Sequence, residues 1–278
     1  MLRALVILLA IALVATGLWL YLQKLRAPAR HERFAPSEAA CRLTLQRRWR
    51  IWHLLPEDLQ RTLLERLEHF LQAVPFTGAH DFAVTDEMRT LIGAQACLVT
   101  LGQEDYPFAE LRGITLYADE FVVAETVEDE DTGVVTEGYR SLSGQAIESE
   151  RIVLSWRDVE ESLQRNDGYN VVIHEFTHFL EHTHPGGDRG AHAALEQHLV
   201  ELRAAVDRGE ETLLDPYAAE DLTEFLAVAA EFFFERPQDL LARHPVLYVV
   251  LRDSFRLDPA SWQAPKSLLG PEIETDQN

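Results

Sequence analysis

The run VVIHEFTHFLEHTHP, residues 171–185, constrains this chain more than any other stretch. It places four histidines and two glutamates in an otherwise apolar segment that reads as a helix. His174, His178 and His182 recur every fourth residue and so share one helical face. Imidazoles at i and i+4 can converge on one ion, and a glutamate beside one of them can reach a water held there. A fold that uses them must pack this helix into a core and bring a third ligand from elsewhere in the chain.

Two metal signatures overlap here. His174-Glu175-Phe176-Thr177-His178 is H-E-x-x-H, and His178-Phe179-Leu180-Glu181-His182 is the inverted H-x-x-E-H. Val171, Val172 and Ile173 lead into the first, which buries that turn, whereas Thr183-His184-Pro185-Gly186-Gly187 stops the helix just after the second. Ligand rotamers are fixed best in the packed middle of a helix, so His174 and His178 are the candidate ligands and Glu175 the candidate base. His182 and His184 are expected to be partly exposed residues near the pocket.

The rest of the composition narrows the function classes. With 278 residues and 47% hydrophobic content the chain can bury a full core. Residues 1–35 carry a net +4, which leaves −25 of the formal −21 on residues 36–278. Such an acidic body repels phosphate backbones and excludes direct nucleic-acid binding. Cys41 and Cys97 stand alone, with no disulfide framework, which fits a reducing compartment.

Ala4 to Leu22 contains no charged residue and is long enough to span a bilayer as a helix. Trp19 and Tyr21 suit the interface at its end. Lys24 and Arg26 follow in place of a small-residue cleavage site, so the segment reads as an uncleaved single-pass anchor in the inner membrane. Arg3 precedes the span, while Lys24, Arg26, Arg30 and Arg33 follow it, a bias that puts the body in the cytoplasm. A soluble cytoplasmic or an exported chain is the alternative.

Three regions follow: anchor and basic linker over 1–35, a globular domain over 36–258, and a loosely ordered Pro- and Gly-containing tail over 259–278. Helical stripes are predicted in PEDLQRTLLERLEHFLQAV, TDEMRTLIGAQACLVTL, AHAALEQHLVELRAAVDRG and DPYAAEDLTEFLAVAAEFFFERP. GITLYADEFVV and RIVLSW read as strands, and ETVEDED (125–131) as a solvated loop between them. Helices, a small sheet, then helices give an α+β domain.

The segment LTEFLAVAAEFFFERP offers the missing carboxylate twice. Glu224 and Glu231 lie on one helical face, about 10 Å apart along the axis, so only one can enter a given ligand set. Both sit among apolar neighbours, where a lone carboxylate is costly. The pattern itself leaves both open.

Over most of residues 50–255 the chain resembles the Mlc titration factor A family of zinc metallopeptidases. The likeness lies in LPEDLQRTLLERLEHFLQAVPF, ITLYADEFVV, RIVLSWRDV, HEFTH and DPYAAEDLTEFLAVAAEFFFERP. It implies a zincin-like fold, one zinc ion per chain, Glu224 as third ligand, and Tyr217, seven residues before it, as an assistant in catalysis. Glu231 then becomes a partner for a ligand imidazole. The resemblance implies peptide or protein substrates cut with Glu175 as general base, and, as the alternative function, sequestration of a transcriptional repressor. The family has Lys-Leu-Asp where this chain has Phe179-Leu180-Glu181, a change expected at the cleft rim. RIVLSW is the candidate edge strand for an extended substrate.

The anchor reading has a direct check. A C-terminal reporter that is active only in the cytoplasm should be active. A C-terminus cut by protease added to intact spheroplasts overturns the topology, and release of a shortened soluble body means that the segment is a cleaved signal.

Overall fold

A computed structural model of the chain describes residues 36–262, apart from 105–106, 120, 129–134, 143, 148–150 and 184–188. The expected span Ala4–Leu22, His184 and the tail beyond residue 262 lie outside the described residues. Among those described, no helix is long and apolar enough to cross a membrane.

The helices are α1 (Glu38–Arg48), α2 (Glu57–Ala73), α3 (Asp86–Val99), α4 (Trp156–Gln164), α5 (Val171–Thr183), α6 (Arg189–Asp207), α7 (Leu222–Glu235), α8 (Pro237–Arg243) and α9 (Pro245–Phe255). The strands are β1 (Phe76–Gly78), β2 (Gly113–Tyr117), β3 (Phe121–Glu128), β4 (Val135–Leu142), β5 (Gly144–Ile147) and β6 (Arg151–Ser155). One sheet runs in the order β1-β2-β6-β5, and β3 pairs with β4 in a separate ribbon. The class is α+β, as expected.

In the sheet β1, β2 and β6 are parallel and β5 is antiparallel to β6. The parallel β1–β2 step needs a crossover, and α3 supplies it. All ten residues from Thr90 to Val99 are buried, so this helix is packed on every side. Gly93 permits that: a Cβ there would lie 2.8 Å from Leu67 Cδ1 of α2.

Two readings of the sequence need correction. RIVLSW does not form an edge: β6 lies between β2 and β5, with Ile152 to Ser155 buried, and β5 ends the sheet. Three consecutive apolar residues, Ile152-Val153-Leu154, are what a strand covered on both faces requires. ETVEDED is not all loop either, because β3 continues through Glu128, paired to Val135. The start of the C-terminal tail is also held, since Pro259–Ser261 forms a 3-10 turn whose Ala260 N donates to Tyr248 Oη.

α5 is fixed from behind by aromatic rings. At 100° per residue, Phe176 and Phe179 leave the helix opposite His174 and His178. Phe176 meets Phe70 (centroids 6.0 Å) and Phe108 (5.7 Å), and Phe179 stacks on Phe108 at 6.2 Å. Phe179 is fully buried, so the departure from Lys at this position falls in the core and not at the rim. Phe176→Ala should cost about 3–5 kcal/mol, the range for truncating a buried ring. A urea midpoint lowered at unchanged slope checks it; an unchanged midpoint contradicts the packing.

Candidate metal centre

α5 starts where Asn170 lets it start. Asn170 Oδ1 accepts from Val172 N (3.2 Å) and Ile173 N (3.1 Å), satisfying two amides that the first turn leaves unpaired. One turn on, His174 and His178 extend from the same face with side chains 14% and 16% exposed, open to a cleft yet held by the core. α7 lies across them. Asp221 caps it, accepting from Glu224 N at 2.9 Å. Glu224, Glu231 and Glu235 then recur at i, i+7 and i+11, within about 40° of one helical face.

The three candidate ligands meet. His174 Nε2 lies 3.0 Å from His178 Nε2, and Glu224 Oε2 lies 3.1 Å and 3.5 Å from those two nitrogens. Among the described residues this is the one group of His, Cys, Asp and Glu donors close enough to share an ion. A tetrahedral ion with bonds of about 2.0–2.2 Å spaces its ligands about 3.3–3.6 Å apart, so the donor set fits with small adjustments. His182, of the second signature, is exposed and lies outside the group.

Glu231 is not in that set. Its carboxylate is 3% exposed, and Oε1 lies 2.8 Å from His174 Nδ1, the nitrogen facing away from the ligand cluster. This is the carboxylate–imidazole pairing that fixes a ligand's tautomer and ring plane. Its Oε2 accepts from Asn170 N. Asn170 Nδ2 donates onward to Gln95 Oε1 (2.8 Å) and Glu235 Oε1 (2.7 Å), and Arg50 donates to Glu235 Oε2 at 2.9 Å. A chain of bonded groups thus runs from His174 to a half-exposed arginine. Asn170, Gln95, Glu235 and Arg50 are absent from the expected site. Gln95, a lone amide within an apolar helix, was the one local hint.

Glu175 and Tyr217 complete the surroundings. Glu175 is 5% exposed, and its Oε2 is buried without a hydrogen-bond partner. Burial pushes its carboxyl up to about 7, partly offset by His174 and His178. Tyr217 lies on the turn Pro216–Ala219, held by Asp215 Oδ1 accepting from Tyr217 N (2.9 Å), with its ring 6.3 Å from that of His174. Both line a cleft of about 760 Å³ that also reaches His174 and Glu231.

A sequence profile of the family described as glucose-regulated metallo-peptidase M90 matches residues 23–256. The chain belongs to that family. It is 33% identical over 226 residues to an uncharacterised protein of Synechocystis, covering 74% of this chain and 79% of that relative. It is 30% identical over 236 residues to Mlc titration factor A of Pectobacterium atrosepticum, with 79% and 88% covered. For Mlc titration factor A of Serratia proteamaculans the figures are 32% over 222 residues, with 74% and 82% covered. A metallopeptidase family implies a bound metal ion, and the His174–His178–Glu224 group is a possible site for it.

Electrostatics give the centre a pH signature. Burial alone would lower the His174 pKa, but hydrogen bonds to Glu224 and Glu231 outweigh it and raise the imidazole to about 10. Burial likewise works against ionising Glu224, yet hydrogen bonds from His174 and His178 hold its carboxyl well below the usual range. At pH 7 without metal, His174 therefore carries a proton that an ion must displace. Calorimetric titration of the metal-free chain in buffers of different ionisation enthalpy should show roughly one proton released per metal near pH 7, with affinity rising as pH rises toward 10. Binding without proton release contradicts the His174 assignment.

Proposed function

We propose that the chain is a zinc-dependent peptidase of zincin-like architecture, with His174, His178 and Glu224 as ligands and Glu175 as general base. One observation carries this reading. Two imidazole nitrogens and a carboxylate oxygen converge within 3.0–3.5 Å, beside a buried carboxylate whose Oε2 has no partner. The donor set of two histidines and one glutamate is that of a catalytic zinc site with an open position.

When bound, the ion supplies an acidified water and polarises the scissile carbonyl. Glu175, whose Oε2 is buried without a hydrogen-bond partner, would serve as the base for such a water. Its carboxyl, raised to about 7, suits handing the proton to the leaving amine at neutral pH. Tyr217, which lines the same cleft with its ring 6.3 Å from that of His174, would donate a hydrogen bond to the carbonyl oxygen as negative charge develops there. Glu231 keeps His174 Nδ1 engaged so that Nε2 faces the ligand cluster. An extended peptide pairs with β5, the strand that ends the sheet and packs beside α5. The anchor Ala4–Leu22 would hold this body at the cytoplasmic face of the inner membrane.

A second reading comes from the relatives. Two of them are named Mlc titration factor A, a name that points to capture of the Mlc repressor. A chain kept only for capture has no chemical use for a buried, unpartnered Glu175.

Glu175→Gln separates the two. It keeps the shape of the side chain and should leave fold and zinc content intact while cleavage falls by at least ~100-fold, the lower range for general acid–base catalysis. His174→Ala, His178→Ala and Glu224→Ala should each lose the metal, and His182→Ala should keep it. Repressor capture and every cellular effect surviving Glu175→Gln unchanged would leave the binder as the function.

A further inference from the structure

The cleft beside the metal centre has a charge pattern that the proposed chemistry does not use. Among the described residues, besides Glu175 and Glu231 it is lined by Asp158, Glu161, Asp167 and Asp215, against a single arginine, Arg165, and no lysine. Arg165 is already engaged, with Nε 2.6 Å from Asp167 Oδ2 and Nη1 3.7 Å from Glu161 Oε2. Asp215 is engaged by Tyr217 N.

Asp158 differs from the others. It is 6% exposed, and its Oδ2 is buried without a hydrogen-bond partner. Its backbone is used in α4, where Asp158 N donates to Ser155 Oγ and Asp158 O accepts from Ser162 Oγ at 2.7 Å. Its Oδ2 is left over. Burying a carboxylate without a partner is costly, and it persists where a ligand or an ordered water offsets it.

We propose that this part of the cleft is a subsite for a cationic side chain of the substrate, the guanidinium of arginine or the ammonium of lysine, with Asp158 as its partner and Glu161 and Asp167 at the approach. The inference rests on the peptidase reading and names the substrate class of that site. Arg165 shows that a guanidinium is accommodated between Glu161 and Asp167. A carboxylate this enclosed is reached by a long, narrow side chain more readily than by a terminal amine carried on the main chain. The net −25 of residues 36–278 steers cationic peptides toward the body.

The test uses the full-length zinc-loaded protein and acetyl- and amide-blocked random heptapeptides that carry arginine or its neutral isostere citrulline at one position. The Glu175→Gln protein is used for binding and the parent for cleavage. Arginine peptides should bind, and be cut, at least about tenfold better than citrulline peptides, the scale of one hydrogen bond to a charged group. Asp158→Asn should bring that ratio near one, with zinc content unchanged. If Asp158→Asn does not fold, the exposed pair Glu161→Gln with Asp167→Asn should still reduce the ratio severalfold. A parent that does not distinguish arginine from citrulline overturns the subsite. So does a preference that survives Asp158→Asn, or one that appears only when the peptide amino terminus is free. A chain that binds arginine peptides selectively but cuts none keeps the subsite and loses the peptidase reading.

Discussion

The bond between Glu231 and His174 is the interaction on which the rest of the centre depends. A carboxylate that is 3% exposed sits between two helices, and its oxygens are claimed by an imidazole of α5 and by the amide of Asn170 just before α5. Apolar contacts between α5 and α7 would tolerate a slide of an ångström or so at small cost. Hydrogen bonds lose most of their strength over that distance, and here the loss would leave a buried charge unpaired. Polar satisfaction therefore fixes the register of the two helices, and Glu224, seven residues before Glu231, is carried by that register to the Nε2 atoms of His174 and His178.

The same bond explains why Asn170 matters although its side chain bonds to none of the three candidate ligand side chains. Its side-chain oxygen starts α5, its backbone amide holds Glu231, and its two amide hydrogens go to Gln95 and Glu235. Every polar group it owns is used, since its carbonyl accepts from His174 N at 3.0 Å. Buried networks rigidify when all members are satisfied and destabilise when one is not. The centre is thus built on a fully bonded node, while Glu175 Oε2, on a residue that lines the cleft, is left unbonded.

How much of this could be read in the sequence follows from the range of each interaction. Histidines four apart and an apolar lead-in are local, so His174, His178, Glu175 and the helix carrying them were legible. Glu224 and Glu231 were legible as a pair but not in their division of labour. They share a face, and which one meets the imidazole Nε2 depends on where α5 crosses α7. The resemblance to known peptidases placed Glu224 among the ligands, and the geometry puts it beside both Nε2 atoms. The Arg50–Glu235–Asn170 links join residues up to 185 positions apart through single polar contacts, which leave no period. The sheet was half legible. β2 and β6 announce themselves by β-branched runs, but β1 and β5 are three and four residues long and exist because a neighbour pairs with them. α1 shows the same limit among helices: only Cys41 and Leu45 of its eleven residues are buried, too few to draw a stripe.

The charge balance around His174 is the last constraint. Glu175, Glu231 and Glu235 are each buried, Glu224 is partly so, and among the described residues the one cation bonded to them from outside the cluster is Arg50. Without metal, a proton on His174 offsets part of this excess, which is why the imidazole is held up to about 10. A proton offsets one charge, whereas a divalent ion offsets two and bonds His174, His178 and Glu224 at once. The buried acids therefore bias the centre toward a dication before any ligand distance is considered. Glu175, which lines the cleft, belongs to the same group of buried acids. A surface used for capture alone gains nothing from so much buried acid. In the proposed hydrolytic centre the same charge would both hold the ion and supply the base.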